Sequence, residues 1–153
     1  INSAAQQVLS GSKDAIAQAA VVAKELGIKR AIPLATAGAF HSPFMAPARE
    51  KLAPVLDTIT FHSPKFPVLS NVTGKPHASD PGAIKALMLE QVTGTTNWAA
   101  DVAAAKEFGC GRFVEFGPGK VLSGLIKKID ASLQTTNVGD LASLDATVAM
   151  LNA

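Results

Sequence analysis

Apolar residues recur at three- and four-residue intervals early in the chain: Ile16, Ala19, Ala20, Ala23 and Leu26 share one face of a predicted helix. Ser12 stands where an N-cap belongs, Asp14 falls in the first turn, and Gly27 supplies the left-handed residue that ends helices. Short runs on either side, Gln6 to Ser10 and Ala31 to Thr36, read as strands. The three segments together predict a strand-helix-strand unit of a small subdomain. A second stripe, Met45, Ala48, Leu52, Val55 and Leu56, predicts a helix that tolerates Pro43 in its first turn. Phe66 to Ser70 is an apolar strand ending at Asn71, and Asp80-Pro81 opens a helix whose buried stripe is Ile84, Leu87, Met88 and Gln91. A helix containing Trp98 and Val102 stops near Gly109. Arg112 to Phe116 then reads as a strand, turned by Gly117-Pro118-Gly119 into a helix from Lys120 to Ile129. A loop rich in Thr, Asn and Gly leads to a last helix from about Ser143 to Leu151. Alternating strands and helices predict an α/β fold with a mainly parallel sheet.

Length and composition narrow the chemistry. At 153 residues the chain has the size of one ordinary domain, able to bury roughly 68–70% of its unfolded surface without disulfides. Cys110 is the single cysteine, which excludes an internal disulfide and a cysteine-based zinc site. His41, His62 and His77 have no metal-ligand spacing, so no metal is assigned. The net charge of +2 is scattered and the chain has one Trp and no Tyr, which argues against nucleic acid as a partner. No apolar run reaches the roughly 18 residues of a membrane span, so a soluble protein is expected.

The candidate chemistry lies at Gly38-Ala39-Phe40-His41-Ser42-Pro43-Phe44-Met45, where the predicted strand gives way to a helix. A residue at the carboxyl end of such a strand faces the crevice where ligands bind, and imidazole moves protons near neutral pH. His41 is therefore the leading catalytic candidate, against the alternative of a histidine held by a backbone carbonyl for structure alone. A histidine base needs a nucleophile, and the chain has no Gly-x-Ser-x-Gly elbow. Gln91, polar on an apolar stripe, must find hydrogen-bond partners; Asn71 reads equally as a turn residue. Gly117-Pro118-Gly119-Lys120 lacks the glycine and the hydroxyl residue of a phosphate loop, since positions 114 and 121 are both Val. The glycines from Gly109 likewise fail the dinucleotide fingerprint, and no nucleotide cofactor is implied.

Four blocks carry a resemblance. They are the His41 octet, Pro67-Val68-Leu69-Ser70-Asn71-Val72-Thr73-Gly74, Gln91 with Asn97-Trp98 downstream, and Glu115-Phe116-Gly117-Pro118-Gly119-Lys120-Val121-Leu122. In order and spacing they resemble the C-terminal half of malonyl-CoA:acyl carrier protein transacylases. The resemblance implies a fragment of a serine acyltransferase of fatty-acid synthesis, moving malonyl from coenzyme A to acyl carrier protein by a ping-pong mechanism. It implies no cofactor beyond the coenzyme A thioester substrate, and the N-terminal half of the same enzyme as a partner. That missing half would bring the serine elbow, an oxyanion-hole Gln and the Arg for the malonyl carboxylate. The implied fold is part of an α/β-hydrolase-like large domain with a parallel sheet, residues 38–153, and the second half of a ferredoxin-like small subdomain, residues 1–37.

By the same resemblance His41 is the base, and the backbone carbonyl of Gln91 orients it as a carboxylate does in a hydrolase triad. Phe40, Asn71 and Asn2 take substrate-binding positions, Phe40 by limiting room for an α-methyl group and Asn71 as support behind the site. The first residues match the family's Asn-Ser-Pro-Gly-Gln segment at Asn2, Ser3 and Gln6, with Ala4-Ala5 in place of Pro-Gly. A piece of a polyketide synthase acyltransferase domain and a non-catalytic module that binds acyl carrier protein remain the alternatives. The bacterial cytoplasm or the plastid stroma is the expected compartment.

Overall fold

The computed structural model describes residues 1–152, so that Ala153, the last position of the predicted larger unit, lies outside the described residues. Helix α1 runs over Lys13–Glu25, with the Ser12 hydroxyl accepting from the Ala15 N–H at 3.2 Å and Gly27 at φ +77° beyond its end. None of its residues is buried. The flanking strands do not form: Gln6 makes only an isolated bridge to Ser3, and residues 31–36 adopt no regular secondary structure. A strand exists through its neighbours' hydrogen bonds, and no described strand lies beside either segment. His41 consequently follows no strand. It sits in a turn at φ +57°, a left-handed conformation uncommon for a residue with a side chain.

Ser42 caps the next element, its hydroxyl accepting from Phe44 N–H at 3.3 Å while donating to the Ala39 carbonyl at 2.6 Å. A single 3-10 turn, Pro43–Met45, leads into α2, Ala46–Asp57, which packs on α3, Pro81–Gln91. Leu56 and Ile84 are the buried residues of these two helices, whereas Val55, expected on the apolar stripe, is exposed. Lys85 and Asp57 form an ion pair across the two helices. The Asp80 carboxylate accepts from Ala83 N–H at 2.7 Å and Pro81 fills the first helical position, as the sequence predicts.

Between α2 and α3 the expected strand from Phe66 is reduced to β1, Leu69–Ser70, because Pro67 has no N–H to give a ladder. It pairs with β2, Lys75–Pro76, in an antiparallel hairpin that the alternation of apolar residues does not reveal. At its turn Gly74 adopts φ +64°, and a Cβ placed there would lie 2.4 Å from the Cβ of Ala100. The hairpin is thereby pressed onto α4, Trp98–Glu107.

The remainder is a strand-helix-strand-helix unit. Strand β3, Arg112–Phe116, α5, Val121–Ile129, β4, Gln134–Val138, and α6, Leu141–Leu151, follow in order, with β3 and β4 parallel and Arg112 opposite Gln134. Strand β4 corrects the reading of this segment as a loop: Thr135, Thr136 and Val138 are β-branched residues that suit a half-buried sheet. Thr136 and Thr147 share a hydrogen bond of 2.8 Å that ties α6 to β4. Asp140 and Ser143 form a reciprocal cap at the start of α6. Val102, Ile126 and Leu133 form the core, packed against Trp98, Phe113 and Ile129. Among the described residues the class is mixed α/β, with one parallel and one antiparallel pair of strands. No helix among the described residues is long and apolar enough to cross a membrane.

Asp101 is the oddity of the core edge. It is buried on α4, and neither carboxylate oxygen has a hydrogen-bond partner; desolvation pushes its carboxyl up to about 6. The folded protein thus keeps its proton to higher pH than the unfolded chain, so this group's contribution to stability falls as pH rises from about 4 to about 6 and is flat above. Asp101→Asn is expected to stabilise the protein at pH 7 by up to about 3 kcal/mol, at 1.36 kcal/mol per pH unit, and by nearly nothing at pH 4. Urea denaturation at both pH values checks it; equal shifts at the two would refute the assignment.

Candidate active site

The turn that holds His41 and the end of α3 come from residues fifty positions apart, and they meet through a main-chain group. His41 Nδ1 lies 2.9 Å from the carbonyl oxygen of Gln91. A carbonyl can only accept, so Nδ1 carries hydrogen in this contact and a neutral ring presents the lone pair of Nε2 outward. That is the state a general base needs. The left-handed backbone at His41 is held by the Ser42 bonds on one side and by the turn after Thr36, whose hydroxyl donates to the Gly38 carbonyl at 3.2 Å, on the other. Strain retained in this way by surrounding bonds is a feature of functional sites.

The side chain of Gln91 is half-buried as its place on the stripe predicts, and its amide group bonds Thr96 Oγ1 at 3.1 Å; the same amide nitrogen stands 3.3 Å from His41 Nδ1. Thr96 escaped the sequence reading, since a threonine in a Gly-Thr-Thr-Asn loop carries no distinguishing pattern. Asn97 staples that loop to the β1–β2 turn, donating from its backbone N–H to the Asn71 carbonyl at 2.7 Å and from its side chain to the Val72 carbonyl at 2.6 Å. Asn71 is therefore joined to the site through its backbone. It also borders a cavity of about 310 Å³ beside Gln91, lined in addition by Ser70, His77 and Met88. His77, whose Nδ1 is buried without a partner, is a second polar group there that spacing did not single out.

Phe40 is half exposed, its ring edge 4.0 Å from where a Cβ on Gly38 would lie. Asn2 donates its N–H to the Gln6 carbonyl at 3.1 Å, in an opening turn joined to the start of α4 by the Ile1 carbonyl, which accepts from Ala99 N–H at 3.2 Å. Nothing among the described residues groups three or more metal-ligating side chains.

At the far end of β3 the Gly-Pro-Gly turn does not present an empty helix N-terminus. Glu115 fills it, accepting from Leu122 N–H at 3.1 Å, Ser123 N–H at 2.8 Å and the Ser123 hydroxyl at 2.7 Å. Desolvation works against the charge, but these bonds outweigh it and hold the carboxyl below the usual range. The chain's own carboxylate occupies the position a phosphate would take in a nucleotide loop. Glu115→Ala is expected to lower stability by about 1.5–3 kcal/mol, the range for hydrogen bonds to a charged group; a denaturation midpoint equal to wild type would refute the cap.

No family model matches the chain. Among curated relatives, the malonyl CoA-acyl carrier protein transacylase of Bacillus subtilis (strain 168) is 38% identical over 151 residues, which is 99% of this chain and 47% of that protein. Among solved structures, an acyl-carrier-protein S-malonyltransferase from Burkholderia pseudomallei 1710b superposes with a TM-score of 0.85 at 40% identity, over 91% of this chain and 45% of its own. A malonyl-transacylase in complex with a type II PKS acyl-carrier protein superposes with a TM-score of 0.85 at 38% identity, over 92% and 45%. The chain spans about half the length of the relatives it matches. Over nearly all of its own length it is homologous to the malonyl CoA-acyl carrier protein transacylases.

Proposed function

We propose that the chain is the histidine-bearing C-terminal half of a serine acyltransferase that moves malonyl from malonyl-CoA to acyl carrier protein in fatty-acid synthesis, in the bacterial cytoplasm or the plastid stroma. One observation carries the reading: a left-handed His41 whose Nδ1 is bonded to the Gln91 carbonyl, in a chain homologous to malonyl transacylases. His41 Nε2 takes the proton of a serine hydroxyl as it attacks the thioester, and returns it to the departing coenzyme A thiol. The second half-reaction repeats the exchange with the phosphopantetheine thiol of the carrier. The Gln91 carbonyl steadies the imidazolium formed in each, Phe40 limits the room beside the acyl group, and Asn71 and Asn2 border the substrate.

The serine comes from a complementary segment that also completes the fold. Leu26, Ile28, Ile32 and Leu34 in the first part, and Phe116, Val121 and Leu141 around the parallel pair, are all exposed, an extent of apolar surface that calls for a covering partner. With that segment in place, residues 1–37 complete a ferredoxin-like small subdomain and residues 38–153 an α/β-hydrolase-like large domain. The binding of a carrier protein by the homologous malonyl-transacylase supports the same class of partner here.

Denatured mass spectrometry of the native polypeptide after incubation with malonyl-CoA tests the reading. One malonyl group gained, and lost again on adding carrier with its free thiol, is the expected result. A polypeptide that never acquires the group refutes it.

A further inference from the structure

We propose that Thr96 and the side chain of Gln91 form a lock on the tautomer of His41. The kinetic consequence rests on the acyl-transfer reading above, but the lock itself does not. Two atoms of Gln91 face one ring nitrogen: the main-chain carbonyl oxygen at 2.9 Å and the amide nitrogen at 3.3 Å from Nδ1. The first requires hydrogen on Nδ1. The second, an NH2 group that only donates, would then meet that hydrogen donor to donor. Rotating the carboxamide by half a turn about its last torsion exchanges two groups of nearly equal shape and removes the conflict. Oε1 then accepts from Nδ1–H beside the main-chain carbonyl.

Thr96 completes the arrangement. Its Oγ1 stands 3.1 Å from the same amide atom, and a hydroxyl can donate to the second lone pair of Oε1 as readily as it accepts from an amide. The Nδ1–H chooses the orientation, and the Thr96 bond holds the carboxamide beside the ring. Nor can Thr96 drift, since its neighbour Asn97 is stapled at 2.7 and 2.6 Å to the carbonyls of Asn71 and Val72. Thr96 is thus a positioning residue that acts through Gln91. Without its hydroxyl the carboxamide is free to swing away from the ring, Nδ1–H keeps the main-chain carbonyl alone, and the margin that favours hydrogen on Nδ1 over Nε2 falls.

Nitrogen-15 correlation spectra of the histidine rings, recorded on the native polypeptide at mildly alkaline pH and assigned with His41→Asn, read the tautomer directly. Wild type is expected to show Nδ1 protonated and Nε2 bare. Thr96→Val, and Thr96→Ala as the variant that adds no bulk, should move both nitrogens toward averaged shifts, while Thr96→Ser restores the wild-type pattern. In malonyl transfer Thr96→Val should lower kcat about three- to tenfold, the worth of one neutral hydrogen bond, with KM unchanged. A wild-type ring protonated on Nε2, or Val and Ala variants whose ring shifts match wild type, overturns the lock. If the shifts move as expected and no acyl transfer is found, the lock stands and the acyl-transfer reading falls.

Discussion

Replacement of His41 by Ala is expected to lower malonyl transfer by about 10²- to 10⁴-fold, the usual span for removal of a general acid-base group. The loss should be in kcat, because the imidazole moves a proton in the transition state and contributes little to holding the substrate. The left-handed backbone at φ +57° complicates a simple alanine variant, since that conformation strains most residues with a side chain. Asn tolerates it. His41→Asn therefore separates backbone from chemistry: both variants should lose activity alike, with Asn closer to wild type in thermal stability. Steady-state assays with malonyl-CoA and carrier protein decide it, and an Asn variant within a few-fold of wild type would remove His41 from the mechanism.

Gly74→Ala is expected to cost roughly 2–6 kcal/mol of stability. A left-handed non-glycine residue accounts for about 1–3 of this, and forcing a methyl into a filled site for about 1–3 more. The two add here because the new Cβ would lie 2.4 Å from that of Ala100, a group fixed to a helix backbone and unable to swing aside. Relief requires the β1–β2 turn to lift from α4, carrying with it the Asn71 and Val72 carbonyls that anchor Asn97. Gly74→Ala should therefore impair catalysis as well as folding. Urea denaturation gives the first effect and kcat at low temperature the second; a loss below about 1 kcal/mol would mean that the turn yields easily.

What the sequence discloses differs between helices and strands for a physical reason. Helices α1, α3, α4 and α5 keep their hydrogen bonds within a dozen residues, and their caps, Ser12 and Asp80 among them, are written locally. Strands depend on partners elsewhere. Gln6 to Ser10 and Ala31 to Thr36 have strand composition and join no sheet among the described residues, beyond the lone bridge from Gln6 to Ser3, whereas the Thr-rich segment read as a loop is paired as β4 beside β3. The site divides in the same way. His41 and Gln91 were legible from motif and stripe, and the cavity brings Asn71 beside Gln91. Thr96, His77 and Asp101 gain interest only from what surrounds them in three dimensions.

The atom that steadies His41 belongs to the main chain, and this alters how the site responds to mutation. Every amino acid carries the same carbonyl, so no substitution at position 91 deletes the acceptor seen at 2.9 Å; a substitution can only displace it by disturbing the end of α3. A saturation library at position 91 would accordingly sort variants by side-chain fit and by the bond to Thr96, while the triad-like contact persisted beneath. Tolerance at that codon would be no sign that the residue stands apart from the chemistry.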